Sequence, residues 1–132
     1  MKNNILAVFI STVWIGFSEF FRNEFLLKQY WTDHYADMGI TFPANPANGA
    51  AWGIWSLMLG TAILILSRKY TMWQTAVFSW FMAFAMMWVV IGNLSVLPFG
   101  ILPLAVPLSQ LETFVASWLI FKISPVQNQA RG

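Results

Sequence analysis

Cysteine is absent and charge is scarce: the 132 residues hold five acids, seven bases and one histidine. The first absence removes disulfides, thiolate metal sites, cysteine nucleophiles and thiol redox switches in one step. It also leaves the redox compartment unread. The second excludes a soluble globule, because charged residues make up only 9% of the chain, against about 25% in domains whose whole surface water must wet. Hydrophobic residues reach 58% and the mean hydropathy is +0.63. Such a chain is expected to meet water at two ends and hydrocarbon between them. Nucleic acid is excluded as a partner, since the net charge of +2 comes from bases scattered along the chain with no patch. Also missing are a nucleophile elbow, a phosphate loop, a dinucleotide fingerprint and the paired histidines of membrane haem or diiron sites. No cofactor is implied, and an enzyme is the least supported class.

What is present is long apolar sequence. Four runs, at about residues 5–21, 50–66, 75–92 and 104–123, each approach the roughly 20 residues that cross about 30 Å of hydrocarbon as a helix. The expected fold is all-α: one domain, residues 1–132, of four transmembrane helices in an antiparallel bundle. A membrane barrel would show alternating segments of about ten residues, and ILAVFI and TAILIL do not alternate. The start, MKNNILAVFIST, has the basic and apolar parts of a signal peptide, but no cleavage site precedes GFSEFFRNE, so it reads as a retained first helix.

The connections differ in kind. The first run extends past Phe21 as an amphipathic segment through Arg22, Glu24, Lys28 and Trp31. Residues 32–49, TDHYADMGITFPANPANG, read as a long polar outer loop punctuated by proline, asparagine and glycine. The linker SRKYTMW is short and implies a tight hairpin. The third connection, NLSVLPFGILPLAVP, carries Pro98, Gly100, Pro103 and Pro107 in an apolar setting. It reads as an interfacial hairpin in preference to a re-entrant turn, because uncovered backbone is not tolerated at membrane depth.

Basic residues near helix ends set the orientation. Lys2, Arg68, Lys69, Lys122 and Arg131 fall on the side of the two termini, whereas Arg22 and Lys28 on the other side are offset by Glu24, Asp33 and Asp37. Both termini are therefore expected in the cytoplasm, with the chain in the cell inner membrane. Trp31, Trp52 and Trp73 sit near the expected boundaries and fit an aromatic belt. Small residues at Gly49, Gly53, Ser56 and Gly60, with Thr75, Ser79 and Ala83 on the next helix, read as the packing face of that hairpin, or alternatively as an oligomer seam. A bundle of four slender helices has little internal room, so a carrying role implies a homo-oligomer.

Two glutamates stand inside apolar runs, Glu19 in ISTVWIGFSEFF and Glu112 in PLSQLETFVASW. A carboxylate there is expected to be paired, protonated or turned toward a wet interior. Helix spacing puts Thr12, Gly16, Glu19 and Asn23 on one face, with Arg22 a turn from Glu19, while Ser109, Glu112, Thr113 and Ala116 share a face of the last helix. Glu19, Arg22, Asn93, Gln110 and Glu112 are accordingly expected to form a polar cluster in the outer half of the bundle. In a purely structural reading the cluster holds helix register. In a functional reading it binds a cation, a proton-coupled solute or an amphiphile. Trp14, Trp55, Trp80, Trp88 and Trp118 lie inside the spans and read as core or lipid-facing surface, with an apolar ligand as the alternative. His34, between Asp33 and Asp37, is a sparse set for a metal and reads as part of a solvated loop.

The succession WIGFSEFF, KQYW and DMGITF ahead of the second helix resembles bacterial four-helix integral membrane protein families of unknown function. That resemblance covers about the first 42 residues and implies the architecture only. Small multidrug exporters also carry an acid in helix one, but the long outer loop and proline-rich third connection here do not match them. The leading functional expectation is a small oligomeric membrane protein that binds or transports at the polar cluster. Its rival is a non-catalytic accessory or assembly subunit of a larger membrane complex.

Overall fold

The computed structural model describes residues 1–126; Arg131, counted above among the orienting bases, lies outside them. All regular structure among the described residues is helical: α1 (Lys2–Phe20), α2 (Lys28–Asp37), α3 (Pro46–Ser67), α4 (Met72–Trp80), α5 (Met86–Asn93) and α6 (Leu102–Ile123). Two wider π-helical segments join these, Phe21–Leu26 after α1 and Phe81–Ala85 between α4 and α5, and a single 3-10 turn, Phe99–Ile101, precedes α6. Four continuous helical stretches are long and apolar enough to cross a membrane: Lys2–Leu26, Pro46–Ser67, Met72–Asn93 and Phe99–Ile123. The chain is a multi-pass membrane protein.

Local sequence chemistry sets the ends of these helices. Asn45 caps α3 by accepting from the Ala47 amide at 3.0 Å, and Pro46 follows at a position where its missing N–H is not needed. Thr71 and Gln74 form a reciprocal capping box at the start of α4. At the end of α2, Gly39 adopts a φ of 75°, and the Gly39 and Ile40 amides return to the carbonyls of Ala36 and Tyr35. This is the closing pattern that a left-handed residue after a helix permits. Ser95 does the same after α5 with a φ of 61°, and its carbonyl accepts from His34 Nε2 at 2.7 Å.

Two connections differ from the sequence expectation. The first loop narrows to residues 38–45, because α2 continues through Asp37 and α3 begins at Pro46. Caps outweigh the polar composition that made 32–49 look like a loop. The third connection is shorter than its proline-rich sequence suggests. It closes at residues 94–98, and α6 starts with Pro103 in its first turn, where the ring is tolerated; Pro107 is then carried inside the helix. Leu97, Ile101 and Ala105 are buried there with Leu27, forming a small second core under Trp31 and Trp88.

The main core is sparse in large side chains and rich in small polar ones. Ala7, Ile15, Leu59, Ile63, Phe84, Ala116 and Ile120 are buried together, and Ser11, Ser56, Thr75, Ser79, Ser109, Thr113 and Ser117 are buried as well. Large apolar residues such as Phe9, Phe17, Met58, Ile65 and Val89 are exposed. That inversion suits hydrocarbon surroundings, where apolar surface needs no covering and small residues bring backbones together. Ser11 Oγ donates to the Ala116 carbonyl across α1 and α6 at 3.3 Å, and Trp80 Nε1 donates to Ser109 Oγ across α4 and α6 at 2.9 Å. The start of α1 and the ends of α3 and α6 meet, where Arg68 donates to Asn4 Oδ1 at 2.8 Å and to the Ser124 carbonyl at 3.1 Å.

The small-residue face of α3 makes its close approach to α1, not to the following helix. A Cβ on Gly60 would lie 3.1 Å from Thr12 Oγ1 and 3.5 Å from the Val8 carbonyl, and one on Gly16 would lie 3.8 Å from Ser56 Oγ. Gly49 and Gly53, by contrast, have nothing within 4 Å of such a position. Gly60→Leu is therefore expected to destabilise by about 1–3 kcal/mol through overpacking, and Gly53→Leu to stay within about 0.5 kcal/mol of wild type. Thermal unfolding of the detergent-solubilised variants measures the contrast.

Candidate functional site

Glu19 lies near the end of α1, Arg22 in the π-helical turn that follows, and Glu112 near the middle of α6. Their exposures are 4%, 4% and 0%. Arg22 Nη2 donates to Glu19 Oε1, and Arg22 Nη1 stands 3.6 Å from Glu112 Oε1. One guanidinium thus faces two carboxylates brought from the two ends of the chain. The short spacing from Glu19 to Arg22 is a one-turn neighbour relation. The pairing with Glu112 is tertiary and depends on α1 packing directly on α6.

A second layer holds the first glutamate in place. Asn23 Nδ2 donates to both Glu19 Oε2 and the Glu19 carbonyl, each at 3.1 Å. Asn23 Oδ1 in turn accepts from Trp31 Nε1 at 3.1 Å, which ties α2 to the site. On the other side Trp14 Nε1 donates to the Glu112 carbonyl at 3.0 Å. Glu112 Oε1 and Oε2 and Arg22 Nη1 are buried without a hydrogen-bond partner among the described residues. Glu112 is therefore held by charge and burial, Glu19 by directed bonds.

The guanidinium carbon of Arg22 lies 5.2 Å from the centre of the Phe84 ring. An arginine facing an aromatic ring in a dry setting gains up to about 2 kcal/mol. Phe84 stands edge-on to Trp55 at 5.7 Å and tilted against Trp88 at 5.7 Å. All four spans therefore contribute: Glu19 and Arg22, then Trp55, then Phe84 and Trp88, then Glu112. Both π-helical segments supply a central member, Arg22 in Phe21–Leu26 and Phe84 in Phe81–Ala85. Such widened turns insert an extra residue and redirect the side chains that follow.

Asn93 and Gln110 do not join the cluster; both side chains are exposed. Gln110 precedes Glu112 by two residues, a rotation of about 200° that turns it to the opposite face of α6. Asn93 ends α5 nine residues beyond Phe84, about half a turn away from the face that meets Arg22. Sequence reasoning placed Asn23 on the Glu19 face but left it out of the site, and did not reach Phe84 or Trp31. Its four-residue spacing from Glu19 marks Asn23; no sequence signal marks Phe84 among 12 phenylalanines. His34, Asp33 and Asp37 lie on helix α2, not in a loop, and the Asp33 side chain accepts from Gln29 at 2.6 Å.

No family model, curated protein or solved structure matches this chain.

Arg22→Met leaves two carboxylates buried against each other and is expected to cost about 3–5 kcal/mol of stability. Adding Glu112→Gln to that variant is expected to recover part of the loss, a non-additivity that a double-mutant cycle on unfolding temperatures reads directly. Trp31→Phe removes one bond to Asn23 and is expected to cost about 1 kcal/mol.

Proposed function

We propose that this chain is a small inner-membrane protein that binds a proton or small cation at the Glu19–Arg22–Glu112 cluster and, as a homo-oligomer, uses that site to move a cation or a proton-coupled solute. The observation that carries the reading is the charge count in a buried space: two carboxylates share one guanidinium. Fully ionised, the group holds a charge of −1, which is expensive to keep in hydrocarbon. A proton, an alkali ion or the ammonium group of an amphiphile balances it. Glu112, with no hydrogen bond on either oxygen, is the group that receives the positive charge, and Asn23 and Arg22 keep Glu19 fixed while it does so.

The spans alternate in direction, both termini being cytoplasmic. In support, Lys2, Arg68, Lys69 and Lys122 sit at or beside the end where Asn4, Arg68 and Ser124 meet, as the positive-inside rule requires. The rival reading, an accessory subunit, draws on the open face at Gly49 and Gly53, where a partner helix has room to pack closely.

The test uses purified protein in neutral detergent. Wild type is expected to show a melting temperature that rises with alkali-ion concentration or changes with pH, by the linkage between binding and folding. Glu112→Gln is expected to remove that dependence while remaining folded, and Glu24→Gln, at an exposed pair with Lys28, to retain it. A wild-type melting temperature indifferent to both cation and pH defeats the ion-binding reading, and co-purification with a larger complex under the same conditions favours the accessory role.

A further inference from the structure

A second feature lies at the opposite end of α1 from the charge cluster and is independent of it. An open groove of about 330 Å³ runs between α1 and α3, lined by Val8, Phe9 and Thr12 on one side and Leu57 and Leu64 on the other, with Asn4 at one end. Thr12 lies eight residues beyond Asn4, about 12 Å deeper along the helix, and Leu57 lies 11 residues before Arg68, about 16 Å deeper. The groove thus spans about one leaflet of a hydrocarbon layer roughly 30 Å thick.

The mouth of the groove is basic. Asn4 Oδ1 accepts from Arg68 Nη2, and the guanidinium's other acceptors are the Ser124 carbonyl and hydroxyl. All are neutral, so its charge has no carboxylate partner among the described residues. Lys2, Lys69 and Lys122 are exposed within two residues of Asn4, Arg68 and Ser124 respectively. No acidic side chain accompanies them, since the acids of the chain are Glu19, Glu24, Asp33, Asp37 and Glu112. An apolar slot one leaflet deep, opening under an uncompensated cationic rim, has the charge and shape of an anionic phospholipid. We propose that this protein carries a binding site for such a lipid, with one acyl chain along the α1–α3 groove and the head-group phosphate at Arg68 and Lys69. The site would select lipids of negative head group from the leaflet facing this end of the bundle.

The experiment is native mass spectrometry of the full chain in neutral detergent with phosphatidylglycerol and phosphatidylcholine supplied at equal concentration. Wild type is expected to retain phosphatidylglycerol preferentially. Lys69→Gln is expected to reduce that preference about fivefold, the equivalent of about 1 kcal/mol per base, and Arg68→Lys to preserve it. Leu57→Trp, at a half-exposed position on the groove wall, is expected to fill the slot and lower retention without disturbing the core. Equal retention of the two lipids by wild type overturns the proposal. So does unchanged retention in Leu57→Trp, which reduces the effect to surface charge without a groove. Loss of melting-temperature dependence on cations, by contrast, would leave this site untouched.

Discussion

The bundle is organised around two buried carboxylates that share one guanidinium. Three charged groups in the interior of four apolar spans are costly unless each finds a partner, and the arrangement of the surrounding helices answers that requirement. α1 brings Glu19, the π turn after it brings Arg22, and α6 brings Glu112. Removing Arg22 leaves two carboxylates with no counter-charge, whereas removing either glutamate leaves a balanced pair. The aromatic wall of Trp55, Phe84 and Trp88 closes the remaining side of the guanidinium, keeping the group dry and its electrostatics strong.

This constraint also accounts for the irregular helix geometry. A straight α-helix through residues 2–37 would not redirect the chain at Leu27 into α2. The widened turn at Phe21–Leu26 does, and Trp31 of α2 then reaches back to Asn23. The second widened turn, at Phe81–Ala85, presents Phe84 to the same guanidinium. Two departures from ideal helix converge on one site, as such segments frequently do. Elsewhere the packing is carried by serines, threonines and one necessary glycine, Gly60; Ser79 and Thr113 donate back to carbonyls of their own helices.

Much of the cluster was legible in advance because part of it is local. Glu19 and Arg22 are three residues apart, and Glu112 stands out as the other acid inside an apolar run. Rotation at about 100° per residue separates Gln110 from Glu112. The face that Asn93 occupies depends on the widened turn upstream, and hydropathy carries no trace of that turn. The shortness of the first loop was obscured for a related reason: capping at Gly39 and Asn45 is specific to a few atoms, whereas composition averages over many residues.

The sequence by itself determined that the chain holds four segments long and apolar enough to cross a membrane, and that two acids and an arginine had to be reconciled among them, because solvation energies depend on residue type and run length alone. Tertiary structure decided which side chains meet them. Whether Trp31, Phe84 or Gln110 faces Arg22 turns on helix rotation and on which helices lie side by side, and these follow from packing between segments distant in the chain.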